Sequence, residues 1–161
     1  MNDGWKDVFF EKSLTQNMFT ENNEWNVKAG IYGVPRDVST LMIYYNKDLF
    51  AKAGLDPENP PKTWPEFIEA GKKLKAAGIQ PFVCGFGEAW LIGSFAASYK
   101  WSLFGKEGII DTIKGKIPYT DKRWLEIFNL FKEMRDNKMF ASGIVTMVNK
   151  DAERTFAIGK A

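Results

Sequence analysis

The run Gly85-Phe86-Gly87-Glu88-Ala89-Trp90 places a carboxylate and an indole two positions apart, directly after a pair of glycines. An ionised carboxylate accepts stronger hydrogen bonds than a neutral acceptor. An indole offers an electron-rich face and a large apolar body. Together they suit a ligand that carries hydroxyl groups and C–H faces. The glycines let the chain turn at the end of a strand, and Glu88 and Trp90 then stand at the entrance of a helix. A plainer role is open to the same pair: Glu88 complements the helix N-terminus, and Trp90 packs in the core. A second carboxylate, Asp37, lies between Arg36 and Ser39. It is either a ligand contact or a turn residue paired with Arg36. Asp37 and Glu88 facing each other across one glycosidic bond, roughly 5–10 Å apart, would make a hydrolase pair.

Other chemistry is thinly represented. The 161 residues include no histidine and one cysteine, Cys84. His-based triads and His metal sites are excluded, structural zinc has too few soft ligands, and no intrachain disulfide can form. There is no P-loop glycine pattern and no GxGxxG. No cofactor and no metal are expected. A net charge of +2 argues against nucleic acid as a partner. Lys72, Lys73 and Lys75 read as the wet face of a helix. Hydrophobic residues at 45% and charged residues at 26% are ordinary for a globular domain, and the length suffices for one well-buried core. No apolar run approaches the roughly 18 residues that span a bilayer. The first residues lack the basic-then-apolar order of a signal peptide.

The elements that must position Glu88, Trp90 and Asp37 are short strands among many helices, which predicts an α/β class with helix in excess. A helical turn or two falls around Asp7–Leu14, and Asn22-Asn23-Glu24 reads as a turn. Ile31–Val34 and the apolar run Leu41–Tyr45 read as strands, the second of them buried. Asn46 caps a short helix over Lys47–Ala53 that Gly54 closes. Three prolines stiffen the loop Asp56–Pro61. Thr63-Trp64-Pro65-Glu66 is a capping box, and the helix it opens turns Phe67, Ile68, Ala70 and Leu74 inward before Gly78 ends it. Pro81–Gly87 reads as a short buried strand running into a glycine loop. A helix from Glu88 or Ala89 ends before Gly105, with Trp101 near its end, and a shorter one covers Lys106–Ile113. Thr120 caps the next, on which Trp124, Leu125, Phe128 and Phe131 recur at helical steps, with Ile127 and Met134 as further members. Asn149 caps a last helix, Lys150–Ile158. Trp64 and Trp124 are packing residues on this reading.

The segment Tyr32–Phe50, and Tyr45-Asn46-Lys47-Asp48-Leu49-Phe50 above all, resembles the crossover of the extracellular solute-binding proteins that feed sugars to ABC transporters, the group that includes maltodextrin-binding proteins. Thr63-Trp64-Pro65-Glu66-Phe67 resembles the family's T-W-x-E helix start, and Gly78-Ile79-Gln80-Pro81-Phe82 the helix-to-strand step after it. Glu153–Ala161 is similar to its F-x-x-G-K-A segment. The likeness runs from about Ile31 to Ala161. It implies a periplasmic-binding-protein-like lobe, helix-rich around a small sheet and truncated at both ends relative to the family. Residues 1–35 would be the tail of a first lobe, 36–44 the hinge crossover and 45–161 most of a second lobe. Trp5 and Trp25 would belong to the incomplete first lobe. In such proteins two lobes close over a ligand by hinge bending. The family's loop corresponding to Gly85–Trp90 has a Glu followed two positions later by a ring that stacks on sugar. Asp37 lies where relatives place a ligand-facing carboxylate, and Arg36 and Ser39 add donors.

The resemblance thus implies a carbohydrate-binding component of an importer, without catalysis, with a membrane permease as partner. It would act outside the cell, in the periplasm or lipid-anchored at the surface. An incomplete sheet edge invites a homodimer or a domain swap. A glycoside hydrolase and an aromatic-rich interaction module are the alternatives.

Overall fold

The computed structural model describes residues 3–161; Met1 and Asn2, where the expected first-lobe tail begins, lie outside the described residues. The chain forms two compact units, Met1–Met42 and Ile43–Ala161.

In the first unit a 3-10 turn over Asp3–Val8 precedes helix α1, Glu11–Thr15. Strands β1, Met18–Phe19, and β2, Gly30–Ile31, pair antiparallel with Met18 opposite Ile31. Asn23 organises the connection between them. Its side-chain oxygen accepts from the amides of Trp25 at 3.1 Å and Val27 at 3.2 Å. The strand expected over Ile31–Val34 is therefore shorter and begins one residue earlier.

The buried strand expected at Leu41–Tyr45 is absent. From Gly33 to Tyr45 the chain runs without regular structure, and Leu41, Met42, Ile43 and Tyr44 are between 59% and 70% exposed. The residues have the β-branched and aromatic character of a strand. That preference is expressed only through cross-strand neighbours, and no described strand pairs with this segment.

The second unit is built on helices. Helix α2, Lys47–Lys52, is capped by Asn46, whose side-chain oxygen accepts from Asp48 N at 3.0 Å and Leu49 N at 3.1 Å. Removing that acceptor in Asn46→Ala is expected to cost about 1 kcal/mol, read as a lowered urea midpoint with an unchanged slope. The proline loop is tied back by the Tyr45 hydroxyl, which donates to Pro57 O at 2.9 Å. Helix α3, Trp64–Ala76, starts with the expected capping box: Thr63 Oγ1 accepts from Glu66 N, and Glu66 Oε2 accepts from Thr63 N. Its buried face is Ile68, Ala70, Gly71 and Leu74, with Phe67 half-buried.

Helix α4 covers Ala89–Phe95 and α5 covers Ala97–Ile113, broken at Gly105 by a φ of 62° and ψ of 180°. The break falls where the sequence places one, and only glycine adopts that backbone cheaply. Trp101, expected near a helix end, is half exposed within the first part of α5.

Helix α6, Lys122–Asp136, departs from expectation in two ways. Its cap is Asp121, not Thr120. The Asp121 carboxylate accepts from Arg123 N and from the Arg123 guanidinium, all at 2.9 Å. These bonds hold the Asp121 carboxyl down at about 2. The two oxygens of an aspartate serve all three donors, one more than a threonine hydroxyl has lone pairs to accept. The buried stripe is Ile127, Leu130 and Met134, while Leu125 and Phe128 are 58% and 64% exposed.

The strand expected over Pro81–Gly87 reduces to one parallel bridge, Phe82 with Phe140. Phe82 N donates to Met139 O at 3.1 Å, and Ala141 N donates to Phe82 O at 3.1 Å. Around it lies the core: Ile68, Phe82, Phe86, Leu91, Met134, Met139 and Ile144. Phe86 sits in edge-on contact with Phe95, Phe131 and Phe140, with ring centres 5.8–6.0 Å apart. This core carries the loop on which Glu88 and Trp90 stand.

Candidate functional site

The loop Gly85–Trp90 is held at both ends by buried side chains, Phe86 and Leu91. Between these anchors the chain turns: Glu88 N donates to Gly85 O at 2.9 Å, and Leu91 N donates to Glu88 O at 3.0 Å. A second loop, Thr146–Asn149, lies directly against it. Gly87 N donates to Met147 O at 2.9 Å. A β-carbon on Gly85 would stand 2.5 Å from Asn149 Cα, and one on Gly87 would stand 2.8 Å from Met147 O. The two glycines are therefore there for close backbone approach, since neither has a positive φ.

Glu88 occupies the N-cap position of α4 but makes no cap bond there. Its carboxylate turns to the start of the last helix, α7, Asn149–Ala157. Oε1 accepts from Asn149 N at 2.7 Å, and Oε2 accepts from the Trp90 indole N–H at 2.9 Å. The plainer sequence reading thus has the right interaction on the wrong helix: Glu88 complements α7, not the helix it begins. Asn149 was expected to cap α7. It is instead the first helical residue, and its side chain donates to Glu153 Oε1 at 2.7 Å. The amide it exposes is satisfied by Glu88, which the α7 dipole also favours. The Asn149 amide first, and the Trp90 N–H second, hold the Glu88 carboxyl below the usual carboxylate range. The sign follows: this tie between the loops is present above the ordinary carboxylate range and is lost as pH falls through the lowered value.

Trp90 is 52% exposed. Its N–H is engaged by Glu88 while the ring remains open to solvent. A fixed, exposed indole beside a carboxylate with unused lone pairs can cover a C–H face and accept from hydroxyl groups. Asn149 and the Thr146–Val148 backbone complete the site. Their contribution was missed in the sequence. The two glycines signalled a close approach but carried no information on what approaches.

The other candidates belong to the first unit. Arg36, Asp37 and Ser39 are exposed on the extended chain, and Arg36 Nη2 donates to Asp37 Oδ2 at 3.3 Å. An open depression of about 340 Å³ lies elsewhere in the second unit, lined by Phe50, Pro61, Lys62, Glu66 and Lys73 among others. It shares no residue with the Glu88 loop and presents charged side chains of both signs over an apolar floor. Its Glu66 carboxylate is taken up by the α3 capping box, accepting from Lys62 N at 2.7 Å and Thr63 N at 3.2 Å, and its one aromatic ring, Phe50, is buried, whereas Glu88 stands beside an exposed indole.

Trp64 and Trp124 are packing residues. Trp64 stacks on Phe67 and donates to Glu133 Oε2 at 2.6 Å. Trp124 packs against Phe104 and Tyr119.

The sequence profile of the bacterial extracellular solute-binding proteins matches residues 2–155, and the chain belongs to that family. It is 35% identical over 130 residues to the sn-glycerol-3-phosphate-binding periplasmic protein UgpB of Agrobacterium fabrum, covering 78% of this chain and 29% of the relative. It is 58% identical over 57 residues to UgpB of Brucella abortus, covering 35% of this chain and 13% of the relative. Among solved structures, a chitin oligosaccharide binding protein matches with a TM-score of 0.64 and 32% identity, over 73% of this chain and 29% of its own. A structure from work on xylan utilization by the thermophilic bacterium Caldanaerobius polysaccharolyticus matches with a TM-score of 0.78 and 24% identity, over 100% of this chain and 38% of its own. That likeness establishes the fold: a helix-rich α/β lobe of the periplasmic-binding-protein type, which spans only part of its neighbours. The chain likewise spans under a third of the curated relatives' length.

Proposed function

We propose that this chain is part of the carbohydrate-binding component of an ABC importer, which binds its ligand without catalysis. The observation that carries the reading is the Glu88–Trp90 pair: an exposed indole fixed by a carboxylate on a loop clamped between two core residues. The ring takes the C–H face of a sugar, and Glu88 and Asn149 supply polar contacts around it. Membership in an extracellular family of binding proteins supports both the transport role and a location outside the cytoplasmic membrane. We assign residues 1–35 to the tail of a first lobe, 36–44 to the crossover and 45–161 to most of a second lobe. Asp37, with Arg36 and Ser39, forms a separate set of candidate contacts. The permease of the importer is the proposed macromolecular partner, and the unpaired run Leu41–Tyr45 makes a homodimer or swapped assembly the further candidate.

A second reading is favoured by the UgpB relatives, which are named for binding sn-glycerol 3-phosphate. The Glu88 carboxylate would accept from glycerol hydroxyls, but it repels a phosphate placed beside it. A phosphate would have to be held away from this loop.

Thermal shift of the intact protein separates the readings. Ligand at a hundredfold excess over Kd stabilises the native state by about 2.7 kcal/mol. Maltose, xylobiose or chitobiose is expected to raise Tm. A rise with sn-glycerol 3-phosphate alone selects the second reading, and a flat response to the whole panel sinks both. Turnover of chromogenic glycosides would defeat the non-catalytic role.

A further inference from the structure

We propose that Glu88, besides its own polar contact with the ligand, is a positioning residue that latches the Trp90 indole to the start of α7. The latch rests on the reading of Trp90 as the sugar-facing ring, but its geometry stands on its own. The two carboxylate oxygens each take one donor from a different element: Asn149 N at 2.7 Å on α7, and Trp90 Nε1 at 2.9 Å on α4. The α7 side of this bridge cannot drift, because Gly85 and Gly87 lie in backbone contact with residues 146–149. The α4 side cannot drift either, because Leu91 is buried in the core. What the bridge adds is control of the one part left free, the rotamer of a half-exposed indole. A ring already fixed in its bound posture loses less conformational freedom when a ligand arrives.

The arrangement requires two acceptor atoms. Glutamine has the same shape as glutamate but only one acceptor oxygen and one NH2 group. In Glu88→Gln, either the Asn149 amide or the Trp90 N–H must face a donor. Since the Asn149 amide is fixed by backbone packing, the indole is the group released. A role limited to complementing α7 makes a different demand, because one oxygen satisfies it and Trp90 is not involved.

The test reads the Trp90 indole N–H resonance of the full chain, assigned by its loss in Trp90→Phe. Expected results are an upfield move of this resonance in Glu88→Gln at neutral pH, and the same move in the wild-type chain on acidification, with the other indole signals holding. Other titratable groups on the elements packed around Glu88 are Cys84 on its own segment and Lys150, Asp151, Glu153 and Arg154 on α7; α4 and residues 139–148 carry none. Glu88→Gln retains all of these groups, so a pH response that persists in that variant belongs to them and overturns the latch. A Trp90 resonance unmoved by both the substitution and acid also overturns it. Should Glu88→Gln fail to fold, the acid titration is repeated in Asp151→Asn and Glu153→Gln: a Trp90 response that survives in both is that of Glu88, and one lost in either overturns the latch. A latched indole in a protein whose Tm no sugar raises would leave the latch standing and sink the sugar reading, so the two fail separately.

Discussion

Gly85→Ala is expected to destabilise the chain by about 3 kcal/mol, at the upper end of what overpacking costs. The added β-carbon would stand 2.5 Å from Asn149 Cα and 2.7 Å from the carbonyl carbon of Val148. Those are backbone atoms, so no side chain can swing aside. The loops must separate, and with them go the Gly87–Met147 and Glu88–Asn149 hydrogen bonds. The opposing effect is smaller. Gly85 has no positive φ, so alanine there would reduce unfolded-state entropy and stabilise by about 0.4–1 kcal/mol if space allowed. Gly93 provides that control. It lies within α4 with nothing within 4 Å of a built β-carbon, and Gly93→Ala is expected to raise stability by up to about 1 kcal/mol. Urea unfolding of both variants tests the pair of signs. A neutral Gly85→Ala would mean that the two loops are not in contact.

The features legible in the sequence are those decided within a few residues. The Asn46 cap, the Thr63–Glu66 capping box, the inward face of α3 and the break at Gly105 each depend on atoms at most four positions apart. The inward face of α6 was not legible in the same way. Apolar residues lie on both sides of that helix, so spacing alone cannot choose between Phe128 and Ile127. The choice is made by two clusters: Met134 enters the core of Met139 and Phe82, Ile127 enters the cluster of Ala96 and Phe104, and Phe131 packs against both. Leu41–Tyr45 shows the converse. Its residue types are right for a strand, but a strand is a property of a pair, and no described strand pairs with it. At the candidate site the sequence located Glu88 and Trp90 and left two roles open. It could not reach the Asn149 amide, 61 residues away, that orients the carboxylate. Once that bond is known, the two roles are no longer exclusive. Glu88 complements a helix and holds the ring with the same carboxylate.

Trp90→Ala in the intact protein is expected to weaken sugar binding more than tenfold, which corresponds to at least about 1.4 kcal/mol, with little change in Tm. Both halves of that expectation come from the same fact. The ring is 52% exposed, so its removal opens no cavity in the core formed by Phe86, Leu91 and Phe95. The carboxylate oxygen it leaves behind is accessible to water. An exposed aromatic surface that contributes little to folding is instead available to a ligand face. Trp64→Ala should show the reverse pattern. That ring is half-buried, stacked on Phe67 and bonded to Glu133, so its loss lowers Tm, and any change in affinity follows from unfolding alone. Calorimetry at a temperature where both variants remain folded separates the cases. Unchanged affinity in Trp90→Ala removes the indole from the site. A Tm that falls as far as that of Trp64→Ala makes Trp90 a structural residue, and the carboxylate beside it then has only α7 to serve.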